Sequence, residues 1–361
     1  MAGGGEKKKK NSSRDAASPA TEKKNIAATS TESRMKGAAE AVKSGAKREK
    51  PVKVGKKKEE KSIQPVKRKE WPKGPLTTQQ KIYYYGGLVL RAMGPLLLYA
   101  TIPSLCLMAG YVLGGYSRDG MDFEDFFVYG TNFYTTIGTF VTLWILDRMS
   151  RRRGSNIWQE STMFVREMRP VKAIGFLIFG FASATAVSAF LTFMPEAIKT
   201  LGYAKATETL YMNRDVIFKM FTMICLAPLL EEMIFRGFML NTFLEHIPEK
   251  KAILITGIIF AVMHGNVVWM LYAFVIGMIL AQTAMKEDNI AYGVLLHSGF
   301  NATSIVNYFI TNDPVKNQMY FGSKGLILVY GIAGLAISLF LAAVYTGRLD
   351  LKIMWRKVVG R

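Results

Sequence analysis

Apolar stretches long enough to cross a bilayer recur along the chain from residue 82 onward, and short charged loops separate them. This pattern predicts an all-α, polytopic membrane helical bundle of about eight transmembrane helices. Only Gly265 and Asn266 join the fifth span to the sixth, which predicts a tight helical hairpin that turns within the membrane. The predicted spans cover residues 92–115, 126–146, 173–194, 215–244, 251–265, 267–285, 290–310 and 325–345.

The first part of the chain has a different composition, rich in Lys, Ala, Ser and Gly and almost free of apolar clusters. Residues 1–81 carry 23 Lys and Arg against 9 Asp and Glu, which is +14 of the chain's net charge of +20. Such a segment cannot bury enough surface to fold alone, so residues 1–78 are predicted to be a disordered, Lys-rich cytoplasmic tail. The tail lacks interleaved aromatic residues, which disfavours a nucleic-acid partner and favours anionic membrane lipids.

The distribution of basic residues predicts the orientation of the bundle. With eight spans, the basic tail, the loop from Arg148 to Lys172 and the basic residues 348–361 all fall on one side, and an acidic loop falls opposite. The positive-inside rule then predicts a multi-pass protein of the cell membrane with both termini cytoplasmic. The membrane domain covers residues 79–347, and 348–361 form a cytoplasmic C-terminal tail. Nothing in the sequence predicts an oligomeric state.

Ionisable residues interrupt the apolar span at residues 215–244. Glu232 and Arg236 are four apart, so on a helix they face each other and can neutralise one another. Glu231 remains as the unbalanced charge. Ionisable groups inside a span are costly and by default mark a functional site, although an ion pair that only links two helices is the alternative.

Two histidines lie in other spans, His264 at the hairpin and His297 one turn before Asn301. Depths counted along the helices at about 1.5 Å per residue predict that these groups meet Glu231 in one cavity open to the cytoplasmic side. A carboxylate with a histidine can deprotonate water, and a histidine with an amide can stabilise an oxyanion. This equipment suits hydrolysis of a peptide bond by activated water. Alternatively, His264 could only donate to a carbonyl in the hairpin, and His297 with Asn301 could serve only as a hydrogen-bonding link between helices.

A zinc site is the competing interpretation of the same residues. Glu231, His264 and His297 could hold zinc and leave one position open. However, the HExxH spacing of zinc proteases is absent, and Arg236 beside Glu232 supplies the positive charge that a cation would otherwise provide. The sequence therefore favours a site without metal or other cofactor.

Three segments, EEMIFRG, FAVMHGN and LLHSGFN, follow one another in separate predicted spans. They resemble the three signature motifs of the CAAX prenyl endopeptidase and bacteriocin-processing family, also called the CPBP or Abi family of intramembrane proteases. The resemblance covers residues 215–301 closely and the eight-span layout loosely. RGFML and HGNVVWMLYAF look more like bacterial members, which points away from a prenylated CAAX substrate.

The resemblance implies an intramembrane endopeptidase of the glutamic type. Glu231 and His264 would activate water, His297 and Asn301 would stabilise the oxyanion, and Glu232 and Arg236 would support them. The expected substrate is a membrane-tethered peptide cleaved near its membrane-associated terminus, such as a leader peptide, a bacteriocin-like peptide or another small membrane protein. Three alternatives stay open: a CAAX prenyl-protein endopeptidase, a zinc-dependent membrane protease, and a non-catalytic immunity or scaffold protein of the same fold.

Overall fold

A computed structural model describes residues 77–116, 119–203, 205–207, 216–311 and 313–349. Within these ranges the chain is helical and has no β-strand, which confirms the predicted all-α class. Nearly all of the predicted N-terminal tail and residues 350–361 of the predicted C-terminal tail lie outside the described residues.

Eight long helical segments occupy the eight predicted positions in the described part of the chain. Shorter helices lie between them at Ile157–Glu160, Val165–Glu167, Pro195–Thr200 and Pro314–Phe321. The segments are α1 (Thr78–Leu113), α2 (Phe123–Arg152), α3 (Pro170–Thr192), α4 (the continuous run from Val216 to Leu244), α5 (Glu249–Val262), α6 (Val267–Glu287), α7 (Ile290–Thr311) and α8 (Lys324–Tyr345).

Four of these helices, α1, α3, α6 and α8, are long and apolar enough to cross a membrane. The protein is therefore a membrane protein, whereas the count of eight spans and the orientation stay predictions. The first helix begins at Thr78, earlier than the predicted start near residue 92, because Thr77 and Gln80 form a capping box. Each side chain of this pair accepts a hydrogen bond from the other residue's backbone N–H.

The hairpin between α5 and α6 has the predicted tight turn. Gly265 has a φ of +73°, a left-handed conformation that glycine adopts without steric cost. The side chain of Asn266 accepts a hydrogen bond of 3.0 Å from the backbone N–H of Val268 and so caps α6. These two residues end one helix and begin the next within a single turn.

The central helix α4 is not a regular α-helix. Two π-helical stretches, Thr222–Leu226 and Met233–Leu240, flank a short α-helical part, Ala227–Glu232, which has Pro228 in its first turn. Proline has no N–H to donate, and π-helical turns relax the hydrogen-bond ladder beside it. α4 packs against α1, α2, α5, α6 and α7, so its side chains reach most of the bundle.

The loop between α2 and α3 folds back against the bundle. Ser161 is fully buried, and a Cβ at Gly237 of α4 would collide with the side chain and backbone of Ser161. Asn289, between α6 and α7, holds the loop with two hydrogen bonds to the backbone of Phe164, of 3.0 and 2.9 Å. The loop therefore packs against the end of the bundle that is predicted to be cytoplasmic.

Helices α3 and α7 approach closely through two glycines. A Cβ at Gly180 would collide with the carbonyl oxygen of Leu296, and a Cβ at Gly299 would collide with that of Leu177. Since these obstacles are backbone atoms, they can move only if the two helices separate. The two glycines thus set the distance at which α7 presents its polar residues.

We expect Gly180→Ala to lower the free energy of unfolding by about 1–3 kcal/mol, because the added methyl group forces α3 away from α7. Gly86→Ala in α1 is the matched control, since nothing lies within 4 Å of a Cβ there. That change should be neutral or stabilising by up to about 1 kcal/mol. Thermal unfolding in detergent measures both, and equal melting temperatures for the two variants would contradict the close approach.

Candidate active site

The four predicted catalytic residues line one cavity of about 300 Å³ at the centre of the bundle. Glu231 comes from α4, His264 from the turn after α5, and His297 and Asn301 from α7. A larger cavity of about 510 Å³ lies between α3, α7 and the start of α8. It has largely apolar walls and contains none of the predicted residues, so the smaller cavity is the candidate site.

The adjacent glutamates of α4 have different surroundings. The side chain of Glu231 is 17% exposed and that of Glu232 is 0% exposed. Oε1 of Glu231 accepts a hydrogen bond of 2.9 Å from the hydroxyl of Tyr99, and its Oε2 lies 3.8 Å from Nε2 of His297. Glu231 is thus the carboxylate that reaches the cavity, as the sequence predicted.

Glu232 forms the predicted pair with Arg236 behind the cavity. Nη1 of Arg236 donates to Oε1 of Glu232 at 2.8 Å, and its Nη2 donates to the carbonyl of Gly277 at 2.9 Å. The guanidinium carbon also lies 4.4 Å from the centre of the Phe260 ring, a cation–π contact. These contacts compensate two charges that are completely removed from solvent.

The same Glu232 orients His297. Nδ1 of His297 donates to Oε1 of Glu232 at 3.1 Å, so the other ring nitrogen is directed to Glu231 and the cavity. A carboxylate held in place by an arginine therefore fixes the orientation of the imidazole.

His264 donates from Nδ1 to the carbonyl of Phe260, one turn earlier, at 2.8 Å. This is the structural contact considered as an alternative from the sequence, but it fixes the tautomer and leaves Nε2 with a lone pair for the cavity. In the described part of the chain no hydrogen bond joins His264 to Glu231. Any cooperation between them would therefore pass through a molecule bound in the cavity.

Asn301 is anchored to the π-helical part of α4. Its Nδ2 donates to the carbonyl of Met223 at 2.9 Å. A side-chain amide has two hydrogens on this nitrogen, so one remains for a second acceptor. The π-helical stretch thus has a local role, because it offers a backbone carbonyl to a predicted catalytic residue.

The cavity reaches beyond the predicted catalytic residues. Its walls run from Glu231 and His297 towards Tyr203, Trp269 and Ser304, at the α5–α6 turn and the segment after α3. The opening of the cavity on the cytoplasmic side stays a prediction, because the orientation of the bundle in the membrane stays one too.

A family model described as Type II CAAX prenyl endopeptidase Rce1-like matches residues 213–303. This match places residues 213–303 in the CAAX prenyl endopeptidase and bacteriocin-processing (CPBP) family. Neither a curated protein nor a solved structure was found to match the chain.

The match to this family implies a protease, which is a hydrolase. The matched range contains all four predicted catalytic residues and the supporting pair. The bacterial character of this CPBP member stays a prediction.

Sequence reasoning missed part of this CPBP site. Tyr99 contacts Glu231 but lies far outside the matched range, in an apolar helix where one tyrosine carries no signal. The aromatic walls were also missed. The rings of Tyr203 and Trp269 meet edge to face, with their centres 6.4 Å apart. Nearby, Nδ2 of Asn266 donates a hydrogen bond of 3.1 Å to the carbonyl of Leu201.

A zinc site requires several ligand side chains that point towards one common position. Among the described residues, no group of three or more His, Cys, Asp or Glu side chains is arranged to hold a metal ion. Glu231, His264 and His297 share the cavity without forming such a group.

Proposed function

We propose that the protein is an intramembrane endopeptidase of the glutamic type that hydrolyses a peptide bond with activated water. The observation that carries this proposal is the convergence of Glu231, His264, His297 and Asn301 on one cavity, from α4, the hairpin turn and α7. These residues supply a general base, a group to hold water and two candidate donors for an oxyanion.

Glu231 is the proposed general base. Its carboxylate takes a proton from a water molecule that Nε2 of His264 also holds, and the water oxygen attacks the carbonyl carbon of the substrate. Collapse of the tetrahedral intermediate breaks the C–N bond, and Glu231 returns the proton to the leaving amine. The side chain is suited to this because it is partly exposed to the cavity, whereas Glu232 is fully buried.

His297 and Asn301 are the proposed oxyanion donors. With Nδ1 donating to Glu232, the His297 ring can donate towards the cavity only if Nε2 also carries a hydrogen. In this role the ring is an imidazolium, and Arg236 and His297 together balance the charges of Glu231 and Glu232. Asn301 contributes the amide hydrogen that Met223 does not use.

The proposed substrate is a membrane-tethered peptide or small membrane protein, cut near its membrane-associated terminus. Leader peptides and bacteriocin-like peptides are the first candidates. The second candidate function is a CAAX prenyl-protein endopeptidase, which the description of the matching family model favours. Both would use the same cavity, and neither needs a metal ion in this mechanism.

The proposal is tested with purified protein and membrane-tethered reporter peptides that include leader-like and prenylated CAAX ends. We expect cleavage that a chelator does not reduce and that His264→Ala lowers by roughly 100-fold or more, because the water loses one of its two partners. His246→Ala is the matched control. His246 also contacts the carbonyl four residues earlier through Nδ1, at 2.8 Å, but it lies outside the cavity.

Other outcomes would replace the proposal. Loss of cleavage with the chelator and recovery with added zinc would establish the zinc-dependent alternative. A folded wild-type protein that cuts none of the reporters would favour the immunity or scaffold alternative. Cleavage of prenylated reporters alone would select the CAAX endopeptidase.

A further inference from the structure

Tyr99 links the first helix of the bundle to the candidate general base. Its hydroxyl donates a hydrogen bond of 2.9 Å to Oε1 of Glu231, across 132 positions of sequence. The residue belongs to the packed face of α1, where Ala92, Leu96 and Pro103 are buried. Tyr99 lies outside residues 213–303, the range that the family model matches, whereas Glu231 lies inside it.

The position of Tyr99 in α1 is unusual because prolines lie on both sides of it. Pro103 has no N–H, so the carbonyl of Tyr99 loses the partner that a regular helix would provide. A Cβ at Gly138 of α2 would collide with Pro103, so α2 packs directly against this proline. The part of α1 that follows Tyr99 is therefore packed against α2.

A carboxylate has two oxygens, and the hydrogen bond from Tyr99 occupies one of them. The other oxygen, Oε2, lies 3.8 Å from Nε2 of His297, on the cavity side. Tyr99 is not among the side chains that line the cavity, and the hydrogen bond to Glu231 is its contact with the site. We therefore expect its effect on a reaction to pass through Glu231.

We infer that Tyr99 is a positioning residue that holds one oxygen of Glu231 so that the other faces water in the cavity. This inference rests on the proposed function, because it assigns Tyr99 a role in the same hydrolysis. A hydrogen bond to a charged group is among the stronger ones in proteins, so the hydroxyl of Tyr99 can restrain the carboxylate of Glu231. Without this restraint the carboxylate would rotate and would spend less time in the reactive orientation.

The alternative is that Tyr99 only joins α1 to α4. The test compares Tyr99→Phe with Tyr111→Phe, another tyrosine of α1, whose hydroxyl donates to the carbonyl of Met121 at 2.9 Å. Each change removes one hydroxyl group and one hydrogen bond from the same helix. We expect Tyr99→Phe to lower kcat by roughly 10- to 100-fold with KM within about twofold, and Tyr111→Phe to leave both within about twofold.

Melting temperatures in detergent test the contact between Tyr99 and Glu231 without measuring catalysis. Tyr99→Phe should lower the melting temperature of the wild-type protein but not that of Glu231→Ala, in which the hydroxyl has already lost its acceptor. This dependence on Glu231 is expected only if the two side chains are coupled as the geometry indicates.

The outcomes separate this inference from the proposed function. If the wild-type protein cleaves, Glu231→Ala does not, and Tyr99→Phe keeps kcat within about twofold, the proposed function stands and the role of Tyr99 is refuted. A rise in KM with unchanged kcat would also refute it. A folded wild-type protein without activity would overturn both.

Discussion

Replacing Glu231 by glutamine is expected to abolish peptide cleavage while the protein stays folded. The amide has the shape of the carboxylate, and its oxygen can still accept the hydrogen bond from Tyr99. It cannot take a proton from water, so we expect kcat to fall by roughly 1,000-fold or more. Cleavage kinetics of the purified variant in lipid nanodiscs would measure the loss.

Glu245→Gln is the control for this change. Glu245 pairs with Arg91 at 3.0 Å on the surface, so its replacement also removes one negative charge but leaves the cavity intact. Its activity should match that of the wild-type protein. If Glu231→Gln retained a tenth or more of wild-type activity, the general base would have to be a different group.

Replacing Arg236 by methionine is expected to have the largest effect on stability. The change leaves Glu232 charged, 0% exposed and without the guanidinium that contacts it at 2.8 Å. It also removes the hydrogen bond to the carbonyl of Gly277. Breaking a buried pair in this way typically costs about 3–5 kcal/mol, so we expect most of the variant protein to unfold or aggregate on extraction.

Two further variants test whether the loss of stability in Arg236→Met comes from the buried charge of Glu232. Arg91→Met breaks another arginine–glutamate pair, but Arg91 is 51% exposed, so the expected cost is at most about 1 kcal/mol. Glu232→Gln combined with Arg236→Met should regain part of the lost stability, because the carboxylate that lost its arginine is then replaced by a neutral amide. Unfolding in detergent would rank the three proteins, and equal stability of Arg236→Met and Arg91→Met would argue against the buried pair.

The sequence predicted the parts of the site that depend on local spacing. Glu232 and Arg236 meet because four residues on a helix bring side chains together. The hairpin at Gly265 and Asn266 follows equally from local rules, since two residues between long apolar runs leave space only for a tight turn.

The parts that sequence reasoning missed depend on which helices become neighbours. Tyr99 reaches Glu231 only because α1 packs against α4, and no periodicity within α1 specifies that contact. The burial of the loop after α2 was missed for a similar reason. Its Ser161 packs against Gly237 of α4, and no local pattern within the loop indicates that this residue would be buried.

The short helix α5 affects the membrane as well as the protein. Its 14 residues rise only about 21 Å, whereas the hydrocarbon core of a bilayer is about 30 Å thick. Apolar side chains of α5, including Leu254, Ile258 and Val262, are exposed. In a bilayer they would present a hydrophobic belt that is narrower than the hydrocarbon core. Lipids next to such a belt relieve the hydrophobic mismatch by thinning. We therefore expect a bilayer that α5 crosses to be thinned beside His264, which would shorten the distance that water and a peptide travel from the aqueous phase.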